Sequence, residues 1–164
     1  MLIGLLSDTH NNAATTRAAL AIFRQEGVTR LLHCGDITGG EIVLLFAGWE
    51  ATFVLGNMDR AVAELEAAAS QIGCAPPRPA VNLVVDGYPI ALLHGHDGLE
   101  RAIQSGAYRY VIHGHTHLHR DERLGATRVI NPGALGGTRR EGRSVAVLDT
   151  AADRLRFIPV PEET

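Results

Sequence analysis

The stretch "LIGLLSDTH", residues 2–10, shows the pattern that decides the fold. A short apolar run stops at Asp8 and His10, and such a run predicts a buried β-strand. Four later stretches repeat the arrangement and run from apolar residues into Asp, Asn or His: "LLHCGD" (31–36), "FVLGNMD" (53–59), "IALLHGH" (90–96) and "YVIHGHTH" (110–117). Because ligand sites in sheet proteins gather beyond the carboxyl ends of strands, we expect these polar side chains to meet in one place.

Seven of these residues at strand ends are candidate metal ligands: Asp8, His10, Asp36, Asn57, His94, His115 and His117. Imidazole and carboxylate groups without a thiolate favour manganese, iron or zinc over a soft-metal site. Seven donors are too many for one tetrahedral zinc ion. They suit two divalent ions about 3.5–4 Å apart that share one carboxylate, an arrangement used in phosphoryl chemistry.

The densest histidine run has imidazoles at positions 113, 115, 117 and 119. In one regular strand this spacing would place all four rings on the same face, either as a solvated stripe or as partners in hydrogen bonds. Gly114 interrupts the run, and a glycine within a strand pattern indicates a bend or a close backbone approach. We therefore expect the strand to end near His113 and "GHTH" (114–117) to form the loop beyond it.

The order of predicted elements indicates the fold class. Helices are predicted over 12–27, 41–48, 61–73 and 99–106. Strands are predicted over 2–8, 29–36, 50–59, 109–114, 127–134, 144–150 and 154–160, with a hairpin over 80–97 that turns at Asp86-Gly87. Alternating strands and helices give way to a strand-rich second half, which predicts an α/β (α+β) fold with two sheets face to face and helices outside. A length of 164 residues predicts one domain over 1–164.

Composition excludes several classes of protein. The net charge of −3 shows no basic footprint for nucleic acid. Cys34 and Cys74 do not make a disulfide framework or a cysteine-rich zinc site. The first residues lack the basic segment of a secretory signal, and no apolar run reaches the ~20 residues that a membrane span needs. These features predict a cytoplasmic protein without a membrane partner.

Five motifs in order resemble those of the calcineurin-like metallophosphoesterases: "SDTH" (7–10), "GD" (35–36), "GNMD" (56–59), "HGH" (94–96) and "GHTH" (114–117). The short chain and "NPGA" (131–134) are similar to the small bacterial and archaeal phosphodiesterase branch of that family. Each motif alone is weak, whereas five in order over most of the chain are specific.

The resemblance implies a fold and a role for each ligand. The fold would be a sandwich of two mixed sheets flanked by helices. Asp36 would bridge two divalent ions, manganese first among iron, zinc, nickel and magnesium. The first ion would be held by Asp8, His10 and His117, and the second by Asn57, His94 and His115. A water or hydroxide between the ions would hydrolyse a phosphate ester, most naturally a phosphodiester.

The sequence departs from the family where many relatives carry a histidine that acts as general acid. Met58 stands at that position, and a thioether cannot donate a proton. His96 and a water held by Asp59 are the candidate replacements. His96 is equally consistent with an exposed loop histidine, and Asp59 with a residue that orients a neighbouring ligand. Ala134 stands where a serine often follows Asn-Pro-Gly, and residues 131–133 are expected to form a turn at the wall of the cavity.

The remaining histidines have other expected roles. His33 lies within an apolar strand and is expected in the core. His113 is expected to be a strand-end residue with its hydrogen bonds satisfied. For His119 two alternatives stand, a solvent-exposed residue and a donor on the substrate side.

Two other functions compete with a phosphodiesterase. A binding scaffold of the same fold is one, as in the small retromer subunit, in which the position that matches His10 is not histidine. A nuclease is the other, although the chain is small and acidic. The expected partner is a small phosphodiester or phosphomonoester rather than nucleic acid. A homodimer or larger assembly through Trp49 or residues 61–79 is a further possibility.

Overall fold

The computed structural model describes residues 1–161 and contains two five-stranded sheets. In chain order the elements are β1 (Leu2–Leu6), α1 (Ala13–Gln25), β2 (Arg30–His33), α2 (Gly40–Leu44), β3 (Glu50–Phe53), α3 (Val62–Gln71), β4 (Ala80–Val85), β5 (Tyr88–Leu93), α4 (Leu99–Gln104), β6 (Tyr110–Ile112), β7 (His119–Leu124), β8 (Thr127–Pro132), β9 (Ser144–Asp149) and β10 (Arg154–Pro159).

Both sheets are mixed. The first has the order β10-β9-β1-β2-β3, with β1, β2 and β3 parallel and β9 and β10 antiparallel to their neighbours. The second has the order β4-β5-β6-β8-β7, with β5, β6 and β8 parallel and the edge strands β4 and β7 antiparallel. The predicted pair of sheets is therefore confirmed, and the parallel strands of each sheet end at the same edge of that sheet.

The strand "LIGLL" is buried on both faces. Ile3 and Leu5 belong to the cluster between the sheets, where they share a core with Ile90 and Ile112 of the second sheet. Leu6 faces the other way, into the cluster that α1, α2 and α3 form over the first sheet. A strand that is covered on both faces has apolar residues at consecutive positions, which explains why the sequence predicts β1 so clearly.

The outer face of the second sheet is covered by a single short helix. Ala91, Leu93 and Val111 form a small buried cluster against which Leu99 and Ile103 of α4 pack. Because α4 has only six residues, it covers part of this face and leaves room beside it.

One strand differs from the sequence prediction. Residues His119–Leu124 form β7, an edge strand that pairs antiparallel with β8, whereas no strand was predicted there. Its sequence, "HRDERL", has almost no apolar residues and most of its side chains are exposed, so the alternation that marks a half-buried strand is missing. The other predicted strands and helices are present, shorter by a few residues at their ends.

Several residues of the surface suggested for self-association, Trp49 and residues 61–79, pack against the core of the same chain. Trp49 and Ile72 pack against the core cluster over the first sheet, and Leu65 and Ala69 of α3 are buried in it. Among residues 1–161, no helix has the length and apolar character to cross a membrane.

Candidate metal centre

The seven predicted ligands all follow parallel strands at one edge of the sandwich. Asp8 and His10 follow β1, Asp36 follows β2 and Asn57 follows β3. From the second sheet, His94 follows β5, and two histidines follow β6. The two sheets therefore bring their ligand-bearing loops together, as expected for the carboxyl ends of strands.

The first group of donors consists of Asp8, His10 and His117. Asp8 Oδ1 lies 3.2 Å from His117 Nε2 and 3.9 Å from His10 Nε2. The two Nε2 atoms lie 3.4 Å apart. One ligand atom from each residue lies within 4.8 Å of the others, which is a spacing that can hold a metal ion.

The second group consists of Asn57, His94 and His115. Asn57 Oδ1 lies 3.0 Å from His94 Nε2 and 3.1 Å from His115 Nδ1. The two ring nitrogens are 3.3 Å apart. This group faces the cavity through the Nε2 atom of one histidine and the Nδ1 atom of the other.

Asp36 lies between the two groups. Its Oδ2 is 3.7 Å from His10 Nε2 and 3.4 Å from His94 Nε2, while Oδ1 accepts the backbone N–H of Met58 at 2.8 Å. Asp8 also approaches the second group, because its Oδ1 is 3.9 Å from His94 Nε2. Asp8, Asp36 and His94 thus form another set with metal-ligand spacing.

Backbone carbonyls fix the orientation of two of the imidazoles. His94 Nδ1 donates to the carbonyl of Cys34 at 2.8 Å, and His117 Nδ1 donates to that of Thr138 at 2.5 Å. A carbonyl oxygen only accepts, so each Nδ1 carries the ring proton. The lone pair of each Nε2 is then directed into the cluster, as is usual for histidines that bind a metal.

The surroundings of Asp8 and Asp36 suit a bound cation. Asp8 is buried, and Ser7 Oγ donates to its Oδ2 at 2.5 Å, but Oδ1 has no hydrogen-bond partner within residues 1–161. A buried carboxylate oxygen without a donor is costly unless a positive charge faces it. Burial would raise the pKa of Asp36, but its interaction with the His94 imidazole and the hydrogen bond from the Met58 N–H outweigh it and hold that pKa below its usual range. The donor set therefore fits divalent metal.

Five of the seven donors have left-handed backbone conformations. The φ angles lie between 43° and 71° for Asp8, His10, Asp36, His115 and His117. Non-glycine residues rarely adopt this region, and such residues cluster at functional sites where the surrounding structure holds them. Hydrogen bonds between neighbouring loops hold them here: Asp8 N–H donates to Gly35 O and His10 N–H to Asp36 O, both at 3.0 Å.

Asn131 supports the histidine loop, a role that the sequence did not reveal. It is buried at the end of β8, and its Nδ2 donates to Gly114 O at 2.8 Å and to Thr116 Oγ1 at 3.0 Å. Gly136, just beyond the "NPGA" motif, donates its N–H to Asp8 O at 2.7 Å. The end of β8 thus braces the loop after β6, and the segment that follows β8 braces the loop after β1.

The predicted loop beyond β6 is confirmed, because β6 ends at Ile112. The expectation for His113 is only half right: its Nδ1 bonds to Gly114 O at 3.0 Å, but its buried Nε2 has no partner within residues 1–161. Burial lowers the pKa of His113 to about 4. His113 is thus neutral at ordinary pH and packs beside the site.

His119 is partly exposed, as one of its two alternatives predicts, but its ring is engaged away from the site. It stacks on Phe157 with ring centroids 4.5 Å apart, and its Nε2 bonds to Ser144 Oγ at 2.5 Å. Ser144 is buried and donates to Pro132 O at 2.7 Å, so this contact joins the two sheets.

Residues 1–153 match the family model of the calcineurin-like phosphoesterase superfamily domain. The chain belongs to the calcineurin-like phosphoesterase superfamily. A phosphodiesterase of Methanocaldococcus jannaschii is 32% identical to it over 163 residues, which are 96% of this chain and 98% of the relative. The resemblance noted in the motifs is therefore confirmed.

Solved structures share the fold of this phosphoesterase superfamily. An archaeal phosphodiesterase superposes with a TM-score of 0.89 and 32% identity, covering 98% of this chain and all of the other. Vps29 from Entamoeba histolytica, solved with Zn²⁺, superposes with a TM-score of 0.73 and 19% identity over 96% of this chain and 90% of its own. The second likeness shows the fold alone.

The two candidate replacements for the general acid, Asp59 and His96, have different surroundings. Asp59 is buried, and its oxygens accept the N–H groups of Gly56 at 2.8 Å and Thr38 at 2.7 Å. Burial raises the pKa of Asp59. His96 is exposed, with its ring centroid 5.5 Å from that of His94.

Proposed function

We propose that the protein is a metal-dependent phosphodiesterase that cleaves its substrate at the cluster around Asp36. The observation that carries the proposal is the convergence of seven donor side chains from five loops, with the buried Asp8 Oδ1 lacking a hydrogen-bond donor. The 32%-identical relative named as a phosphodiesterase supports the same reaction.

The proposed ligand groups follow the geometry of the donors. One ion would be held by Asp8, His10 and His117, the other by Asn57, His94 and His115, with Asp36 shared between them. The mixture of imidazole and oxygen donors suits manganese, iron or zinc. When bound, such ions lower the pKa of a water molecule and offset the charge that builds up on phosphate oxygens.

A proton donor for the leaving alcohol is missing at Met58, whose side chain is 43% exposed at the mouth of the site. We assign that role to His96, because it is exposed and adjoins the second ligand group, with ring centroids 5.5 Å from His94 and 6.1 Å from His115. Asp59 has both oxygens occupied by backbone N–H groups, which supports a role in holding the turns that carry Asp36 and Asn57.

A binding scaffold is the second candidate, since Vps29 shares the fold. A scaffold has no use for an intact set of donors on strained backbone, because each left-handed residue costs of order 1 kcal/mol or more. Retention of all seven donors therefore favours the enzyme.

The test is hydrolysis of bis(p-nitrophenyl) phosphate by metal-stripped protein before and after addition of Mn²⁺. We expect activity to return with metal and to fall by at least about a hundredfold in Asp36→Ala. Asp149→Ala is the matched control, because Asp149 pairs with Leu2 at the opposite end of the first sheet. No hydrolysis with Mn²⁺, Fe²⁺, Ni²⁺ or Zn²⁺ by the folded protein would support the scaffold instead.

A further inference from the structure

A cavity of about 370 Å³ lies on the outer face of the second sheet, in the space that the short helix α4 leaves beside β4 and β5. Its volume falls within the ~300–1,000 Å³ that is usual for small-molecule sites. The predicted ligands of the metal centre do not line it.

The cavity combines an apolar wall with a pair of polar side chains that still have free hydrogen-bond donors and acceptors. Ala91, Leu93 and Ala102 supply the apolar wall. Beside this wall, the Tyr108 hydroxyl donates to Oδ1 of Asn82, the cross-strand partner of Ala91, at 3.1 Å. That bond leaves both N–H groups of the Asn82 amide and a lone pair of the hydroxyl oxygen free, so the pair offers donors and an acceptor to a ligand.

The rim carries one side chain of each charge, Arg101 and Asp97. Arg101 lines the cavity, and its guanidinium makes no hydrogen bond or ion pair with residues 1–161. Its guanidinium lies back over Gly98, 3.5 Å from where a β-carbon would be. Because the two charges have opposite signs, the rim suits a substituent that carries no net charge itself.

His96 connects the cavity to the metal centre. It lines the cavity, and its ring lies 5.5 Å from the ring of His94 on the other side. The loop between β5 and α4 turns at Gly95 and Gly98, with φ angles of 106° and 75°. A diester whose phosphate lies at His94 and His115 would therefore pass one substituent by His96 into the cavity.

We infer that this cavity binds the organic substituent of the phosphodiester and that the substituent is a nucleoside. The apolar wall fits the face of a nucleobase, and the Asn82–Tyr108 pair fits the mixed donors and acceptors at a base edge. The inference rests on the proposed phosphodiesterase function, which places the phosphate beside His94.

The test compares the binding of two diesters to the Zn²⁺-loaded protein by calorimetry: thymidine 5′-methyl phosphate and dimethyl phosphate. We expect the thymidine diester to bind at least about tenfold more tightly, since it alone fills the cavity. Ala80→Trp and Ala107→Trp fill the cavity from two exposed positions and are expected to abolish that advantage. Tyr108→Phe is expected to reduce it about threefold.

The matched control is Val84→Trp, which lies on the same face of β4 as Ala80 but outside the cavity and is 65% exposed. This variant should bind the thymidine diester more tightly than dimethyl phosphate by the same factor as the wild type. Equal affinities for the two diesters, or an advantage that survives both cavity-filling variants, would overturn the inference. Hydrolysis of bis(p-nitrophenyl) phosphate is measured separately. A thymidine advantage without hydrolysis would reject the phosphodiesterase but keep the binding site.

Discussion

His33 is a buried histidine that joins two of the loops that carry proposed ligands, and it is not a member of either candidate group of metal donors. Its Nδ1 accepts the N–H of Gly35 at 3.1 Å, so its Nε2 carries the proton and donates to Thr9 Oγ1 at 3.2 Å. The Thr9 hydroxyl in turn donates to Ile37 O at 3.3 Å. The ring thus joins the loop after β1 to the loop after β2, and a second ring proton on Nδ1 would face an N–H group.

These contacts give a prediction about acid stability. Burial lowers the pKa of His33 to about 3, whereas an unfolded histidine titrates near 6.5. Below pH ~6.5 the unfolded state binds the extra proton, so the free energy of unfolding falls by up to about 1.4 kcal/mol per pH unit down to pH ~3. Above pH ~6.5 the group contributes no pH dependence.

His33→Gln should remove this contribution. We expect the slope of unfolding free energy against pH to be smaller by about 1 kcal/mol per unit between pH 6 and 5. The measurement is urea unfolding at several pH values, with a chelator present because metal binding is itself pH-dependent. Identical slopes for the variant and the wild type would show that the native histidine already takes up the proton.

His96 gives a second prediction at this scale. If it protonates the leaving alcohol, His96→Ala should slow a diester with a poor leaving group by at least about a hundredfold. Hydrolysis of bis(p-nitrophenyl) phosphate should change by no more than a few-fold, because p-nitrophenolate leaves without protonation. The comparison is kcat/KM for alkyl and p-nitrophenyl diesters with Mn²⁺. Equal losses on both would assign another role to the ring.

At the scale of elements, the site depends on how closely the turn after β3 crosses the turn after β2. A β-carbon on Gly56 would overlap Asp36, at both its carboxylate oxygen and its backbone nitrogen. Neither atom can move freely, because Asp36 Oδ1 also accepts the Met58 N–H. Gly56 is therefore required by the close approach of two loops.

Gly56→Ala should displace the Asp36 carboxylate. We expect Mn²⁺ affinity to fall at least about tenfold and the unfolding free energy to fall by about 2 kcal/mol. Gly142→Ala is the control, since nothing lies within 4 Å of its β-carbon position, and it should be neutral within ~0.5 kcal/mol. Calorimetric titration with Mn²⁺ and urea unfolding measure both. Wild-type Mn²⁺ affinity in Gly56→Ala would refute the argument.

The elements also show what the sequence can and cannot predict. Strands such as β1 and β6 are apolar on both faces and end in ligands, so local pattern alone locates both the strand and the site residue. The polar edge strand β7 has no such pattern, because its partner β8 supplies the pairing. Asn131 lies 17 residues from Gly114 in sequence, and only the register of β6 beside β8 brings their loops together.

At the scale of the whole molecule, the two ends of the sandwich carry different groups of polar residues. The carboxyl ends of the parallel strands carry the candidate metal centre. The opposite end holds an ion-pair cluster in which Asp153, in the turn between β9 and β10, accepts hydrogen bonds from residues in strands of the second sheet or directly before one. These are Arg109, Tyr110, Arg123 and Arg128. The cluster joins the two sheets at the end that is far from the candidate metal centre.

Asp153→Asn tests this junction. Burial would raise the pKa of Asp153, but hydrogen bonds from Arg123, Arg128 and Tyr110 outweigh it and lower the pKa to about 2. The stabilisation is therefore complete above pH ~4, where the unfolded carboxyl is ionised, and is lost as pH falls towards 2. The Arg128 side chain is 7% exposed and would lose part of its counter-charge, although Asp121 still pairs with it.

We expect Asp153→Asn to lower the unfolding free energy at pH 7 by about 2 kcal/mol, as for hydrogen bonds to charged groups. The difference in unfolding free energy between the variant and the wild type should become smaller between pH 4 and 3, because Asp153 of the wild type begins to be protonated and to lose the same interaction. Urea unfolding at pH 7, 4 and 3 measures this difference. The control is Glu100→Gln, because the Glu100 side chain is exposed and makes no hydrogen bond or ion pair with residues 1–161. Its unfolding free energy should equal that of the wild type at each pH. A difference for Asp153→Asn that stays constant down to pH 3 would mean that the amide disturbs the packing of the turn, and the sheets would then be joined by their shared core rather than by this charge.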